Sequence, residues 1–80
     1  MEANALGEYS RDHEEIFVAA LGNYRGDYTI GIGIGPNGEG HILLQVPDGV
    51  DHSIFPKAVQ ANSEEIPVMV KGGYRQPVPL

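Results

Sequence analysis

The chain of 80 residues contains no cysteine, and this absence excludes several kinds of site. Disulfide bonds, cysteine-ligated zinc, iron–sulfur clusters and thiol nucleophiles all need cysteine. Lysine and arginine are also scarce, five against eleven aspartates and glutamates, so the formal net charge is −6. Phosphate backbones and anionic membranes attract clustered cations. We therefore expect neither nucleic acid nor a membrane as a partner.

Long apolar runs are missing from the sequence as well. A helix that crosses a bilayer needs about 20 consecutive, mainly apolar residues, and a secretory signal joins a basic stretch to an apolar one. Neither pattern is present, so we expect a soluble, cytoplasmic protein. A chain of this length forms one domain with a small core, which is marginally stable unless another chain or a ligand adds buried surface.

The clearest positive pattern is a predicted β-hairpin from Tyr28 to Val46. Apolar residues alternate with other residues on both sides of a glycine-rich segment at positions 35–40, as expected for two strands that each bury one face. Within that segment Pro36 presets φ for a turn, and Asn37-Gly38 tolerates positive φ. The glycines there also match G-x-G-x-x-G, but a strand follows them rather than a helix, so no dinucleotide cofactor is expected.

The outward face of this hairpin is nearly free of side chains. Thr29, Gly31 and Gly33 share that face of the first strand, and Leu43 of the second strand lies beside them. Glycine inside a strand lowers stability by about 0.5–1 kcal/mol relative to alanine. Two interpretations remain open: a twisted strand with a bare outer face, or a flat platform that another backbone, ring or ligand approaches closely.

The remaining segments are assigned from periodicity and from turn signals. Residues 1–9 have no clear period and are expected to form a flexible arm, or a strand that a partner completes. Helical spacing predicts a first helix over 11–21, which Ser10 or Asp12 caps. Ser53 is expected to cap a second helix over 54–61. Alternation predicts a third strand over 66–71, and two prolines make residues 74–80 an extended tail.

This element order, α-β-β-α-β, predicts an α+β fold in one domain of residues 10–73. A helical crossover makes the second and third strands parallel. The expected architecture is a two-layer sandwich with a three-stranded mixed sheet in the order 2-1-3. Both helices cover one face, so the other face and two edge strands stay open to self-association.

Three segments resemble a recurrent bacterial sequence that has a GVGIG-like strand, a second apolar strand and an IPV-x-V strand. The matching stretches are Tyr28–Gly35, Ile42–Val46 and Glu65–Val70. The resembled segment occurs in small uncharacterised proteins and near the start of some trypsin-like peptidase homologues. The resemblance implies the same strand order, and it places no catalytic residue on this chain.

Candidate catalytic and metal-binding groups are few. His13, His41 and His52 sit on different predicted elements, and no two of them have the i, i+4 spacing of a helical metal pair, so we expect no metal site. Ser10 and Ser53 are interpreted as helix caps rather than nucleophiles. A three-stranded domain seldom encloses a pocket that shifts carboxylate pKa values. We expect no cofactor and no enzymatic activity.

Two hypotheses for function follow from these patterns. The first is a non-enzymatic, homo-oligomeric interaction module. The second is a protein that binds a nucleotide-like or other anionic metabolite between subunits, and a larger protein partner is a third reading. The interaction module would use Thr29, Gly31, Gly33, Leu43, Val78 and Leu80, and the ligand site would use Tyr24, Arg25, Gly35, Asn37, Gly38, Tyr74 and Arg75.

Overall fold

A computed structural model describes residues 1–76, which form an α+β fold. Two helices cover one face of a four-stranded mixed sheet with the strand order β1-β2-β4-β3. Strand β2 is antiparallel to β1 and parallel to β4, and β4 is antiparallel to β3. The elements are α1 (Ala3–Asp12), α2 (Glu15–Leu21), β1 (Thr29–Ile34), β2 (Gly40–Gln45), a 3₁₀ turn (His52–Ile54), β3 (Ala58–Ala61) and β4 (Glu64–Lys71).

The hydrophobic core lies between the helices and the sheet, with β2 at its centre. Ile42, Leu44 and Val46 of this segment are fully buried. Leu6 of α1 packs in one cluster with Ile42, as do Ile16 and Ala20 of α2, whereas Leu44 and Val46 pack with Phe55 in a second cluster. Full burial of a side chain such as Leu6 stabilises the fold by about 1.5–3 kcal/mol. Both helices therefore pack on one face of the sheet.

The predicted hairpin is confirmed. Strands β1 and β2 pair antiparallel with Ile32 opposite Ile42, and the Gly35 N–H donates to the Glu39 carbonyl at 2.8 Å. Gly38 has a positive φ of 80°, which a glycine adopts at little cost. The alternating isoleucines of β1 face the helices, as the pattern predicts.

The N-terminal part of the chain differs from the prediction. The sequence predicts a flexible arm, or a strand that a partner completes, over residues 1–9, but most of them belong to α1. The Glu2 carboxylate caps this helix by accepting from the Asn4 N–H at 3.0 Å. The predicted helix over 11–21 is two helices, because α1 ends at Asp12 and α2 begins at Glu15. Gly22 ends α2 with a positive φ of 60°.

The predicted helix over 54–61 is wrong. Its first residue ends the short 3₁₀ turn, which Asp51 caps in place of Ser53, and 58–61 is the strand β3. Asn62 and Ser63 both have positive φ, 50° and 64°. Two such residues make the tight turn of a β-hairpin. This turn returns the chain directly into β4, so the segment before it pairs as a strand.

The predicted strand order 2-1-3 is also wrong. The third predicted strand, now β4, lies beside β2 and is parallel to it, with Ile42 opposite Val68. The parallel direction is confirmed, but the neighbour is different. The physical reason is burial. Strand β2 carries two fully buried side chains, Ile42 and Leu44, and needs a strand on each side, whereas Ile30 and Ile32 of β1 are only half-buried. Strand β1 is therefore an edge.

The N-terminal residues fill a gap between the starts of β2 and β4. The Val68 N–H donates to the Lys57 carbonyl at 2.9 Å, on the side of β3. Because N–H directions alternate along a strand, an N–H at the neighbouring Pro67 would point toward β2. Proline has no such donor. The Gly40 N–H donates to the Met1 carbonyl at 2.8 Å rather than to a carbonyl of β4, and the Met1 amino group lies 3.2 Å from the Glu64 Oε1 atom.

Helix α1 approaches the sheet most closely at Gly40. A Cβ atom at this position would lie 2.8 Å from Leu6 Cδ2 and 3.0 Å from Ala3 Cα. Because Leu6 is fully buried, it has no free space into which to move. Gly40 is therefore required by packing rather than by a turn.

We expect Gly40→Val to lower the free energy of unfolding by about 1–3 kcal/mol, the usual effect of overpacking. The matched control is Gly31→Val, because a Cβ at Gly31 meets nothing within 4 Å and valine favours a strand. At protein concentrations low enough to keep the chain monomeric, the control should keep or raise stability. Urea unfolding followed by circular dichroism measures both, and equal stability of the two variants would contradict the close contact at Gly40.

Candidate interaction surface

The face of the sheet opposite the helices carries no covering element among residues 1–76. We call this surface the open face. It brings together four residues predicted for the interaction module, Thr29, Gly31, Gly33 and Leu43. The structure adds residues from the other strands, and those used below are His41, Gln45, Pro67, Met69 and Lys71.

One row across the middle of the open face rises from a hollow to a protrusion. Gly31 on β1 pairs with Leu43 on β2, and Leu43 pairs with Met69 on β4. Gly31 contributes no side chain, Leu43 is half-buried, and Met69 is 53% exposed. A shallow depression of about 240 Å³ lies at the low end of the row, with Thr29 and Gln45 among its walls.

The two glycines of β1 play different parts in this surface. Gly33 is opposite His41 in the hairpin register, and the His41 imidazole occupies the space that a Cβ of Gly33 would take. Nothing lies within 4 Å of the corresponding position at Gly31. The hollow is therefore confined to Gly31, and the His41 ring packs against the backbone at Gly33.

The residues predicted for a ligand site do not all come together. Gly35, Asn37 and Gly38 lie at the hairpin tip, next to the end of β1. Tyr24 and Arg25 lie before the start of β1, about five residues or ~17 Å away along the strand. Tyr74 is at the same end as Tyr24, because its N–H donates to the Val46 carbonyl at 3.1 Å, and Arg75 follows it.

Tyr24 has a structural role in the fold. Its ring meets Phe55 edge-on at a centroid distance of 5.3 Å, and its hydroxyl donates to the Asp27 carbonyl at 2.8 Å. A depression of about 340 Å³ beside it is lined by Arg25 and by mainly apolar and aromatic groups, including the exposed Val18 and Tyr28. These contacts explain the position of Tyr24 by packing against Phe55, without a ligand.

Two predicted interaction residues, Val78 and Leu80, lie outside the described residues. Met69, on the other hand, was not predicted as part of the surface. The alternation of Ile66, Val68 and Val70 places Met69 on the opposite face of the same strand, so a signal was present. Its position next to Leu43 depends on the strand order, which the pattern did not reveal.

The chemistry available in residues 1–76 is limited. This part of the chain holds no group of three or more histidine or carboxylate side chains arranged to bind a metal. Hydrogen bonds from its own backbone N–H and from His13 lower the pKa of Glu15. The Ser53 backbone N–H and hydroxyl likewise lower the pKa of Asp51. Neither carboxyl group belongs to the open face.

Comparison of the chain with protein-family models, with curated proteins and with solved structures gives no match. Function must therefore be argued from the surface itself. Within the part of the chain that the structure describes, no helix is long and apolar enough to span a bilayer.

The position of His41 is open to a direct test by NMR. We expect His41→Ala to change the chemical shifts of the Gly33 Hα protons, because the ring next to them is lost, and to leave those of Gly31 Hα nearly unchanged. The fold should persist, since the ring is only half-buried. Equal shift changes at both glycines would contradict the seating of the imidazole over Gly33.

Proposed function

We propose that the chain is a non-enzymatic protein-interaction module that forms homo-oligomers through its open face. The observation that carries the proposal is the row Gly31–Leu43–Met69, which rises from hollow to protrusion. A two-fold axis that runs along the strands at Leu43 places Met69 of each copy over Gly31 of the other. The surface is thus complementary to itself.

The packing of β2 against β4 supports the same proposal. Parallel strand pairs in proteins are normally covered on both faces. Here the β2–β4 pair exposes Leu43 and Met69 side by side on the uncovered face. A second copy, with its sheet packed about 10 Å away, would cover both side chains.

Charge is compatible with this arrangement. Lys71 is next to Gln45 in the register, and Gln45 is opposite Thr29. The same two-fold axis places Lys71 of one copy over Thr29 of the other, so that the ammonium group meets uncharged polar atoms. No like charges are opposed across the row of Leu43 or the row of Gln45.

We expect Met69→Lys to raise the dissociation constant of the homo-oligomer about tenfold or more, an effect of at least about 1.4 kcal/mol, because a charge would be buried in the hollow at Gly31. Gly31→Val should weaken assembly as well, since it fills that hollow. Sedimentation velocity over a wide concentration range measures both effects.

Two further variants sharpen the test. Val18→Lys places the same charge on another exposed apolar residue, 67% exposed on α2, and should leave assembly unchanged. The double variant Gly31→Val with Met69→Ala reverses the height of the row and should recover part of the assembly lost in Gly31→Val. A parent chain that stays monomeric at every concentration would disprove the proposal.

A further inference from the structure

Strand β1 presents an unpaired row of backbone groups at one edge of the sheet. The Gly35 N–H points to β2, where it donates to Glu39. Because the direction of N–H and C=O groups alternates along a strand, Gly31 and Gly33 also point to β2. Ile30, Ile32 and Ile34 therefore direct their N–H and C=O groups outward, away from the sheet.

This edge lacks the features that normally keep an exposed strand from pairing. Thr29–Ile34 contains no charged residue, no proline and no β-bulge in its pairing with β2. The opposite edge, β3, is only four residues long and directly follows Pro56 and Lys57. Short length, proline and lysine are the usual protection of an edge strand. The two edges of one sheet thus differ sharply.

A groove with an apolar wall on its strand side runs along the unprotected edge. It has a volume of about 450 Å³ and lies between α1 and the isoleucines of β1, with Gly7, Glu8 and Arg11 on the helix side and Ile32 and Ile34 on the strand side. Ile34 is 70% exposed. The groove is therefore open at the edge, and its strand wall is apolar.

From this geometry we infer that β1 pairs antiparallel with β1 of a second copy, which joins the two sheets into one of eight strands. A two-fold axis through Ile32 pairs Ile32 with its equivalent, and Ile30 with Ile34 of the other copy. Each pair consists of outward-pointing residues, so all six N–H groups find acceptors. On the helix side of the joined sheet, the isoleucines of both copies meet and close the groove.

Charge on α1 is compatible with the same occupant. Gly40 is opposite Ile34 and lies beneath Ala3 and Leu6. Ile32 is two strand residues from Ile34, about 6.6 Å, and this distance equals about four residues of helix. Ile32 is therefore level with the part of α1 around Glu8. The two-fold axis runs the two α1 helices antiparallel. Each helix brings one acid and one base, Glu8 and Arg11, to the groove, so the joint gathers no net charge. The uncharged strands bring no like charges together.

This contact uses a different surface from the open face, so the two are separable by experiment. Met69→Lys removes the open-face contact without touching β1, and the variant should still form a dimer through its edge. On this background Ile34→Pro should raise the dimer dissociation constant about tenfold or more. Proline removes one outward donor per copy but no hydrogen bond within the monomer.

Two controls accompany this variant. Gln60→Pro makes the same change on the other edge, β3. The Val68 N–H donates to the Lys57 carbonyl, so Lys57 faces β4 and, by alternation, the Gln60 N–H points outward. This variant should leave the dimer intact. Ile34→Val keeps the backbone donor and should do the same. Equal effects of Ile34→Pro and Gln60→Pro, or a strictly monomeric Met69→Lys chain, would overturn the inference.

Amide hydrogen exchange on the unmodified chain tests the inference without any variant. The amides of Ile30, Ile32 and Ile34 should exchange more slowly as concentration rises, because pairing with a second copy gives them acceptors. The outward amides of Ala58 and Gln60 should not change. Exchange at β1 that is independent of concentration in an assembled sample would leave the open-face proposal standing and overturn the edge pairing.

Discussion

The contact between α1 and Gly40 is the constraint on which the rest of the structure depends. Without a side chain at Gly40, Ala3 and Leu6 reach the sheet at the start of its most buried strand. This approach holds α1 over β1 and β2 and lets the Met1 carbonyl take the Gly40 N–H. With α1 and α2 committed to one face, nothing in residues 1–76 remains to cover the other.

The hairpin of β1 and β2 was predictable because its information is local. Alternating isoleucines and a turn containing Pro36 and Asn37-Gly38 indicate both strands and the register between them. The local pattern around β3, by contrast, predicts the wrong element. Phe55, Ala58 and Val59 have helical spacing, and only the positive φ values of Asn62 and Ser63, which neither residue type demands, reveal that the chain turns back as a strand.

The candidate surface divides in the same way. Gly31, Gly33 and Leu43 were correctly predicted to be neighbours, since they belong to one hairpin. Met69 joins them only because β4 lies beside β2, and that depends on which strand needs burial on both sides. The proposed ligand residues failed to converge for a related reason: the hairpin tip and Tyr24 are at opposite ends of β1, a separation that strand length alone predicts.

The pairing pattern of the sheet also has a consequence for how the chain folds. Strands β1 and β2 are neighbours in sequence, as are β3 and β4, whereas Ile42 and Val68 pair across 26 residues, 68 minus 42. Closing a long loop costs more entropy than closing a short one. Two hairpins that form independently and then join along β2 and β4 follow the lowest-cost route. The segment 47–57 between them is where the chain tolerates added length best, because extra residues there leave both local hairpins intact.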